Sequence, residues 1–89
     1  MKKSMLDILA CPIDKHYPLD LFEAASSGDL VIEGVLYCSK CSRFYPIMEE
    51  IPIMLPDDLR ERQQEIEFLQ KWKTRLPEKV IKQGNPWHL

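Results

Sequence analysis

The sequence predicts an α+β fold in which a small antiparallel sheet is followed by helices. Three observations carry this prediction. Short segments with strand character fill the middle of the chain, Cys38 and Cys41 form a CxxC pair, and strong helix formers dominate from Asp57 onward. Because a CxxC pair can turn both sulfurs toward one ion, the sheet is expected to be zinc-ribbon-like. A short N-terminal helix and a C-terminal helical extension complete the predicted fold.

The size, charge and composition of the chain limit the classes of protein that it can be. Its 89 residues make one domain, which we divide into a β region over 1–56 and a helical extension over 57–89 packed on it. A net charge of −2, from 12 basic and 14 acidic residues, argues against a protein that grips nucleic acid unaided. No apolar run suits a membrane span or a signal peptide. Three cysteines with a CxxC pair favour metal binding in the reducing cytoplasm over a disulfide framework.

The first predicted elements are a short helix and a tight turn. Ser4 can cap a helix that ends at Ala10 or Cys11, because Pro12 disfavours the helical conformation in the residue before it. The turn then covers residues 11–16.

Alternating and β-branched residues predict the strands. The first covers 17–22 and is followed by a loop over 24–29. The second is Leu30–Tyr37, in which Gly34 indicates a bulge or a close contact. Residues 44–47 and 51–55 then form a hairpin around 48–50.

The C-terminal third is predicted to be helical. Asp57 and Asp58 suit a helix N-terminus, where negative charge is favourable, and the helix continues to about Arg75. Pro77 begins a second short helix that ends near Gly84, and Trp87 in the tail is expected to pack against another surface. The apolar stripe of the longer helix consists of Leu59, Ile66, Phe68, Leu69, Trp72 and Leu76.

The strand over 51–55 is apolar on both faces. Ile51, Ile53 and Leu55 share one face, and Pro52 and Met54 share the other. A small domain has a core on only one side of such a strand, so the other side needs a cover. The sequence leaves two covers open, which are the chain's own C-terminal helix and another protein.

The cysteines suggest a metal site with an unusual fourth ligand. Cys11, Cys38 and Cys41 lie where a zinc ribbon has three of its ligands, and Asp14 occupies the fourth position. His16 is the alternative to Asp14, since imidazole is a better zinc ligand. Two readings without a metal remain open. In one, Asp14 only caps the turn and the cysteines are small buried apolar groups, and in the other, Cys11 forms a disulfide with one of the pair.

No catalytic arrangement is recognisable in the sequence. Both histidines lie in turn or tail segments, and the chain has no phosphate-binding glycine loop and no ordered Ser, His and Asp. A redox role for the CxxC pair is a weak alternative, because no βαβ pattern surrounds it. We expect that the chain is not an enzyme on its own.

Four segments together resemble a known family. Residues 9–12, 38–41, 44–47 and 51–55 are similar, in order and spacing, to the small zinc-ribbon subunit that activates tRNA, rRNA and release-factor methyltransferases. The form of residues 11–16 looks most like the archaeal branch of that family. The similarity covers about residues 4 to 60, so most of the helical extension lies outside it.

The resemblance implies a non-catalytic subunit that pairs 1:1 with a Rossmann-like methyltransferase. That methyltransferase binds S-adenosylmethionine, and the present chain reaches nucleic acid only through the complex. Cys11, Cys38 and Cys41 match the metal positions, Asp14 replaces the usual fourth cysteine, and Glu50 stands where the family usually has Gly. The segment 51–55 matches the strand that pairs with the partner. The partner-binding residues expected from the resemblance are Phe44, Pro46, Ile47, Met48, Ile51, Pro52, Ile53, Met54 and Leu55.

A stand-alone zinc ribbon that binds nucleic acid or the translation machinery is the alternative function. That function needs a basic face. The residues that would have to form it are Lys2, Lys3, Lys15, Lys40 and Arg43.

Overall fold

The computed structural model describes residues 1–89 and confirms the α+β class. One antiparallel sheet has its four strands in the order β1-β2-β3-β4. The strands are β1 (Asp20–Ser27), β2 (Leu30–Tyr37), β3 (Phe44–Met48) and β4 (Ile51–Pro52). A 3-10 helix precedes them at Lys3–Asp7, and a second 3-10 helix at Asp57–Leu59, α1 (Arg62–Trp72) and α2 (Glu78–Ile81) follow them. None of these helices combines the length and apolar character that crossing a bilayer requires.

The sheet has a separate hydrophobic core on each face, because successive strand residues point to opposite sides. The helix-side core joins one face to α1 and α2 and consists of Ala24, Val35, Tyr37, Phe44, Phe68, Leu69, Leu76, Val80 and Ile81. The amino-terminal core joins the other face to the start of the chain and consists of Met1, Cys11, Leu19, Val31, Leu36, Cys38, Tyr45 and Ile47. The chain's own helices therefore cover one face of the sheet, and the residues before β1 cover the other.

The N-terminal helix is shorter than predicted. It is a single 3-10 segment of five residues, and Ser4 lies inside it without capping it. The reason is that the preceding residues pair with β2. The Val31 N–H donates to the Met1 carbonyl at 2.7 Å, and Lys2 bridges to Leu30. This pairing keeps the backbone extended through Lys2, and too few residues remain before Pro12 for a stable α-helix.

β1 begins later than predicted and replaces most of the predicted loop. Tyr17 lies outside it and is exposed, whereas residues 24–27 belong to the strand. Pairing with the full length of β2 stabilises this extension, and Gly28 at φ 61° makes the tight turn between the two strands. The pairing shifts register between Glu23 and Ala25, which marks a bulge.

Gly34 confirms the predicted close contact. A Cβ atom at this position would lie 2.6 Å from the Phe22 carbonyl oxygen of the neighbouring strand. Only glycine lets the two strands approach this closely beside the bulge.

The predicted long helix is wrong because the chain breaks at Arg60. The backbone there is extended, at φ −93° and ψ 147°, between the second 3-10 helix and α1. This break turns the Arg60 side chain into the protein, where it is buried. It also places Leu59 outside the apolar stripe, with 61% of its surface exposed. The second helix begins after Pro77, as predicted.

The hairpin of β3 and β4 closes through Glu49 and Glu50. Their φ angles are 50° and 71°, so both lie in the left-handed region that a two-residue primed turn requires. Beyond β4, the Ile53 N–H still donates to the Pro46 carbonyl at 2.8 Å. The predicted hairpin is thus confirmed, but its second strand, β4, ends at Pro52 instead of Leu55.

Candidate functional site

Four potential metal ligands converge at one end of the sheet. The sulfur atoms of Cys11 and Cys41 are 3.8 Å apart, and the Cys38 sulfur lies 3.6 Å from each Asp14 carboxylate oxygen. One donor atom from each of these residues lies within 4.8 Å of all the others. His16 does not join them, because its Nε2 atom lies 3.3 Å from the Ser39 hydroxyl.

Two turns with the same hydrogen bonds hold these ligands. In the first, the Lys15 N–H donates to the Cys11 carbonyl and the Cys11 N–H to the His16 carbonyl, at 2.9 and 3.0 Å. In the second, the Ser42 N–H donates to the Cys38 carbonyl and the Cys38 N–H to the Arg43 carbonyl, at 2.8 and 2.9 Å. The fifth residue of each turn has a positive φ, 64° and 63° respectively. We call these two turns the first knuckle (residues 11–16) and the second knuckle (residues 38–43). They are equivalent, and Asp14 in the first knuckle has the position that Cys41 has in the second.

The separations between the donor atoms suit a tetrahedral zinc ion. With zinc–sulfur bonds of about 2.3 Å, tetrahedral angles place neighbouring sulfurs about 3.8 Å apart. The distance between the Cys11 and Cys41 sulfurs matches this spacing. Slightly shorter zinc–oxygen bonds also accommodate the 3.6 Å distance between Cys38 and Asp14. These two separations therefore match a tetrahedral ion held by three thiolates and one carboxylate, and the remaining donor atoms lie within 4.8 Å.

The surroundings of the ligands set their protonation. Burial raises the pKa of the Cys38 thiol to about 12, whereas the hydrogen bond from the His16 N–H lowers the pKa of Asp14 to about 2. Burial opposes ionisation of Cys11, but a hydrogen bond with Tyr45 and two from the backbone lower its pKa overall. The Tyr45 oxygen lies 3.1 Å from the Cys11 sulfur. Since a metal binds thiolates, its arrival would displace the Cys38 proton.

The partner-binding residues expected from the sequence divide into buried and accessible ones. Phe44, Pro46 and Ile47 are buried, because β3 lies inside the sheet and its two faces are covered by the two cores. Met48 and Met54 are half-buried against those cores. In this conformation, these side chains are occupied by contacts within the chain.

The accessible residues lie along β4 and just beyond it. Ile51 is 62% exposed and Leu55 is 39% exposed, whereas Pro52 and Ile53 are half-buried. β4 is the last strand of the sheet, so no strand lies on its outer side. We call the segment 51–55 the β4 edge. The β4 edge thus has both unpaired backbone on its outer side and exposed apolar side chains.

A buried ion pair was not found by sequence reasoning. Arg60 donates two hydrogen bonds to the Glu65 carboxylate, at 2.5 and 3.1 Å, and one to the Phe44 carbonyl at 2.6 Å. The indole N–H of Trp87 donates to the same carboxylate at 3.2 Å. Trp87 therefore packs on the chain's own interior. The sequence gives no local signal for this pair. Arg60 and Glu65 are five residues apart and lie on either side of a break in the helix, and neither a helix nor a strand places two side chains together at that spacing.

The basic residues named for a nucleic-acid surface are partly neutralised. Lys3 pairs with Glu23 at 3.1 Å, and Arg43 forms a two-pronged pair with Asp57 at 2.8 Å. These two ion pairs reduce the free positive charge, whereas Lys2, Lys15 and Lys40 form no ion pair.

Comparison with known proteins identifies the family. A family model described as Trm112p-like protein matches residues 2–50, which is more than half of the chain. This chain belongs to the Trm112p-like family. The resemblance inferred from the sequence motifs is therefore confirmed. The Trm112p-like match ends before α1, so α1 and α2 lie outside the part that the family model describes.

Similar Trm112p-like chains are found among curated bacterial proteins. A UPF0434 protein of Nitrosococcus oceani is 34% identical over 61 residues, which cover 68% of this chain and 88% of the relative. A UPF0434 protein of Rhodopseudomonas palustris is 42% identical over 59 residues, which cover 66% of this chain and 76% of the relative. The archaeal-type form of residues 11–16 stays a prediction.

A solved structure shares the fold. It is described as a complex between the Haloferax volcanii Trm112 methyltransferase activator and the putative methyltransferase. The similar chain is 43% identical, with a TM-score of 0.64, and the match covers 67% of this chain and 100% of that chain. About a third of the present chain therefore has no counterpart in it.

Proposed function

We propose that this protein is the non-catalytic activator subunit of a methyltransferase, or of several, acting on tRNA or translation factors in the cytoplasm. The catalytic subunit binds S-adenosylmethionine and carries out the reaction, and this chain binds that subunit as a 1:1 heterodimer. The observation that carries the proposal is the open β4 edge in a chain of the Trm112p-like family. The Haloferax complex, in which a similar chain accompanies a methyltransferase, supports this choice of partner.

The β4 edge has the properties of a site for strand addition. A partner strand can satisfy the backbone groups on the outer side of β4, and Ile51 and Leu55 supply apolar contacts beside it. Pro52 lacks an N–H and makes the edge a poor partner for a second copy of itself. A stable complex buries about 800 Å² on each partner, so the contact extends beyond the strand to neighbouring side chains.

The metal cluster supports a structural rather than a catalytic role. Four protein ligands fill a tetrahedral coordination sphere and leave no position for a substrate or an activated water. In this proposal a zinc ion binds Cys11, Asp14, Cys38 and Cys41, and it joins the two knuckles that are distant in sequence. The ion would supply folding free energy to a domain whose cores are small.

The proposal is tested by recovering the partner from cells and rebuilding the complex. The tagged chain is expected to retain a methyltransferase, identified by mass spectrometry, and about one zinc ion per chain by elemental analysis. The purified partner alone should be less soluble, or bind S-adenosylmethionine more weakly, than the complex. Failure to recover any methyltransferase would contradict the proposal.

Ile51→Asp tests whether the β4 edge is the interface. We expect at least about tenfold weaker binding, because a carboxylate would be desolvated without a partner. The free chain should keep its melting temperature, since Ile51 is 62% exposed. Ile8→Asp is the matched control, because Ile8 is 77% exposed and lies after the N-terminal 3-10 helix, outside the β4 edge. Equal binding by Ile51→Asp and the wild type would exclude this edge.

A further inference from the structure

A groove lies between the β3–β4 hairpin and α1. Its volume is about 410 Å³, within the roughly 300–1,000 Å³ that is usual for ligand pockets. Met48, Ile51 and Ile53 from the hairpin and Phe68 from α1 form its apolar lining. One wall therefore belongs to the family-matched region or directly adjoins it, and the other belongs to the extension that the family model does not include.

The groove has an acidic rim with one carboxylate on each wall that forms no ion pair. Glu49 stands in the hairpin turn and takes part in no ion pair or hydrogen bond through its side chain. Glu67 on α1 accepts only a hydrogen bond from Gln63. Lys71 and Glu33 also line the groove, and they pair with each other at 3.3 Å, so the lining keeps a net charge of about −2 from Glu49 and Glu67. An apolar floor under two free carboxylates is complementary to a side chain with an apolar stem and a cationic end.

We propose that this groove binds a lysine- or arginine-bearing segment of the methyltransferase partner. The apolar stem of the segment lies on the floor, and its cation lies at the rim formed by Glu49 and Glu67. This inference rests on the proposed function, because Ile51 and Ile53 belong both to the β4 edge and to the groove. Because these two residues line the groove, a partner strand paired with β4 would lie next to it, and the partner's neighbouring side chains could enter it.

The charge of the groove disfavours other occupants. Free carboxylates repel the phosphates of RNA. A second copy of this chain would have to present a basic segment, and its 12 basic residues are outnumbered by 14 acidic ones. The basic partner segment is therefore the occupant that the observations favour.

The test is a charge reversal on both walls. The double variant Glu49→Lys/Glu67→Lys is compared with the control Asp7→Lys/Glu61→Lys. All four residues are exposed, and both double variants change the net charge by the same amount. The probe is the methyltransferase recovered with the wild-type chain and then produced recombinantly. Its affinity is measured for each variant at low and at high salt, and the melting temperature of each free variant verifies folding.

We expect the groove variant to bind at least about tenfold more weakly at low salt and with less salt dependence, while the control changes about twofold or less. The neutral pair Glu49→Gln/Glu67→Gln should lie between them. Unchanged affinity of the groove variant, while Ile51→Asp still binds at least about tenfold more weakly, would overturn this inference and leave the proposed function intact. Dimerisation of the free chain that the groove variant abolishes would also overturn it. Recovery of no methyltransferase would overturn both proposals.

Discussion

Arg60 lies in the interior with its side chain fully withdrawn from water. Moving a guanidinium out of water costs several kcal/mol unless hydrogen bonds and an opposite charge replace the solvent. Glu65 and the Phe44 carbonyl supply these contacts, and the Phe44 ring lies 4.9 Å from the guanidinium carbon. One nitrogen, Nη1, has no hydrogen-bond partner. The stability of this region therefore depends on both members of the pair being present.

Arg60→Met is expected to destabilise the protein by about 3–5 kcal/mol, because it leaves the Glu65 carboxylate buried without its counter-ion. Chemical denaturation measures the change. Lys82→Met is the control, since the pair of Lys82 with Glu78 is well exposed and contributes at most about 0.5 kcal/mol. The double variant Arg60→Met/Glu65→Leu should regain part of the loss. A cost below about 1 kcal/mol for Arg60→Met would contradict this account of the pair.

Glu50 occupies a conformation that suits glycine better than glutamate. Its φ of 71° is left-handed and follows another left-handed residue, Glu49. Glu50, where the resemblance leads us to expect Gly, thus still forms the turn. For residues other than glycine, this conformation costs about 1–2 kcal/mol.

Glu50→Gly is therefore expected to stabilise the protein by up to about 1 kcal/mol, after the greater flexibility of glycine in the unfolded chain is subtracted. In a domain of this size, such a gain raises the melting temperature by roughly 4–8 °C. Glu50→Ala is the matched control, because it removes the same carboxylate and keeps the Cβ atom. Equal stabilisation by both variants would assign the effect to charge instead of backbone conformation.

At the scale of elements, the contact between Arg43 and Asp57 joins the second knuckle to the second 3-10 helix. Arg43 donates to both carboxylate oxygens of Asp57, at 2.8 to 3.2 Å. The hydrogen bonds from Arg43 lower the pKa of Asp57 below its ordinary value. This pair fixes where the chain turns from the sheet toward the helices.

Asp57→Asn is expected to reduce stability at neutral pH by about 1 kcal/mol or less, because the pair is partly exposed. The folded-state pKa of Asp57 is depressed, so its contribution is complete above the unfolded pKa of about 3.9 and disappears as the pH falls through the folded value. Denaturation of both proteins between about pH 7 and pH 2 should therefore give stability curves that converge at the acid end. A constant difference across this range would exclude linkage to Asp57.

The elements that the sequence predicted well are those that neighbouring residues determine. β2 has its predicted bounds because β-branched residues and turn residues delimit it, and Pro77 places the start of α2 correctly. β1 and the long helix were placed wrongly because distant contacts decide them. β2 extends the pairing of β1 into a stretch with loop composition, and the burial of Arg60 breaks a segment of strong helix formers.

The metal ligands of the candidate site could be predicted from the sequence, but the accessibility of the partner-binding residues could not, because only the former depends on neighbouring residues. The spacing of residues 11–14 and 38–41 places each pair of ligands on one turn, and the sheet then brings the two turns together. The accessibility of Phe44 and Ile47, in contrast, depends on which parts of the chain cover β3. Because those covering elements are distant in sequence, the residues of β3 alone do not reveal whether their side chains are buried.

At the scale of the whole molecule, the C-terminal tail is attached to the second knuckle. The side chain of Asn85 donates to the Cys41 carbonyl at 2.9 Å, and its N–H donates to the Ser42 carbonyl at 2.8 Å. The Phe44 N–H donates in turn to the Asn85 carbonyl at 3.1 Å. Order at the candidate metal centre should therefore extend to Trp87, two residues further along the tail.

Removal of the metal by a chelator is expected to lower the melting temperature and to shift the fluorescence of Trp87 to longer wavelengths, because the tail loosens when the knuckle loses its ion. Trp72→Phe isolates the signal of Trp87. Return of the original spectrum on addition of zinc would show that the change is reversible. Emission that stays constant while zinc is lost would show that the tail does not depend on the knuckle.

The bulge in β1 has a consequence for how many molecules can join. An open sheet has two edge strands, and the addition of a strand from another molecule at both edges would let subunits assemble into a filament. Here the margin opposite β4 is interrupted between Glu23 and Ala25, and the ion pair of Lys3 with Glu23 adds charge beside it. Both features disfavour the addition of a strand at that edge. Copies of this chain in excess over the partner should therefore stay monomeric instead of assembling into a filament.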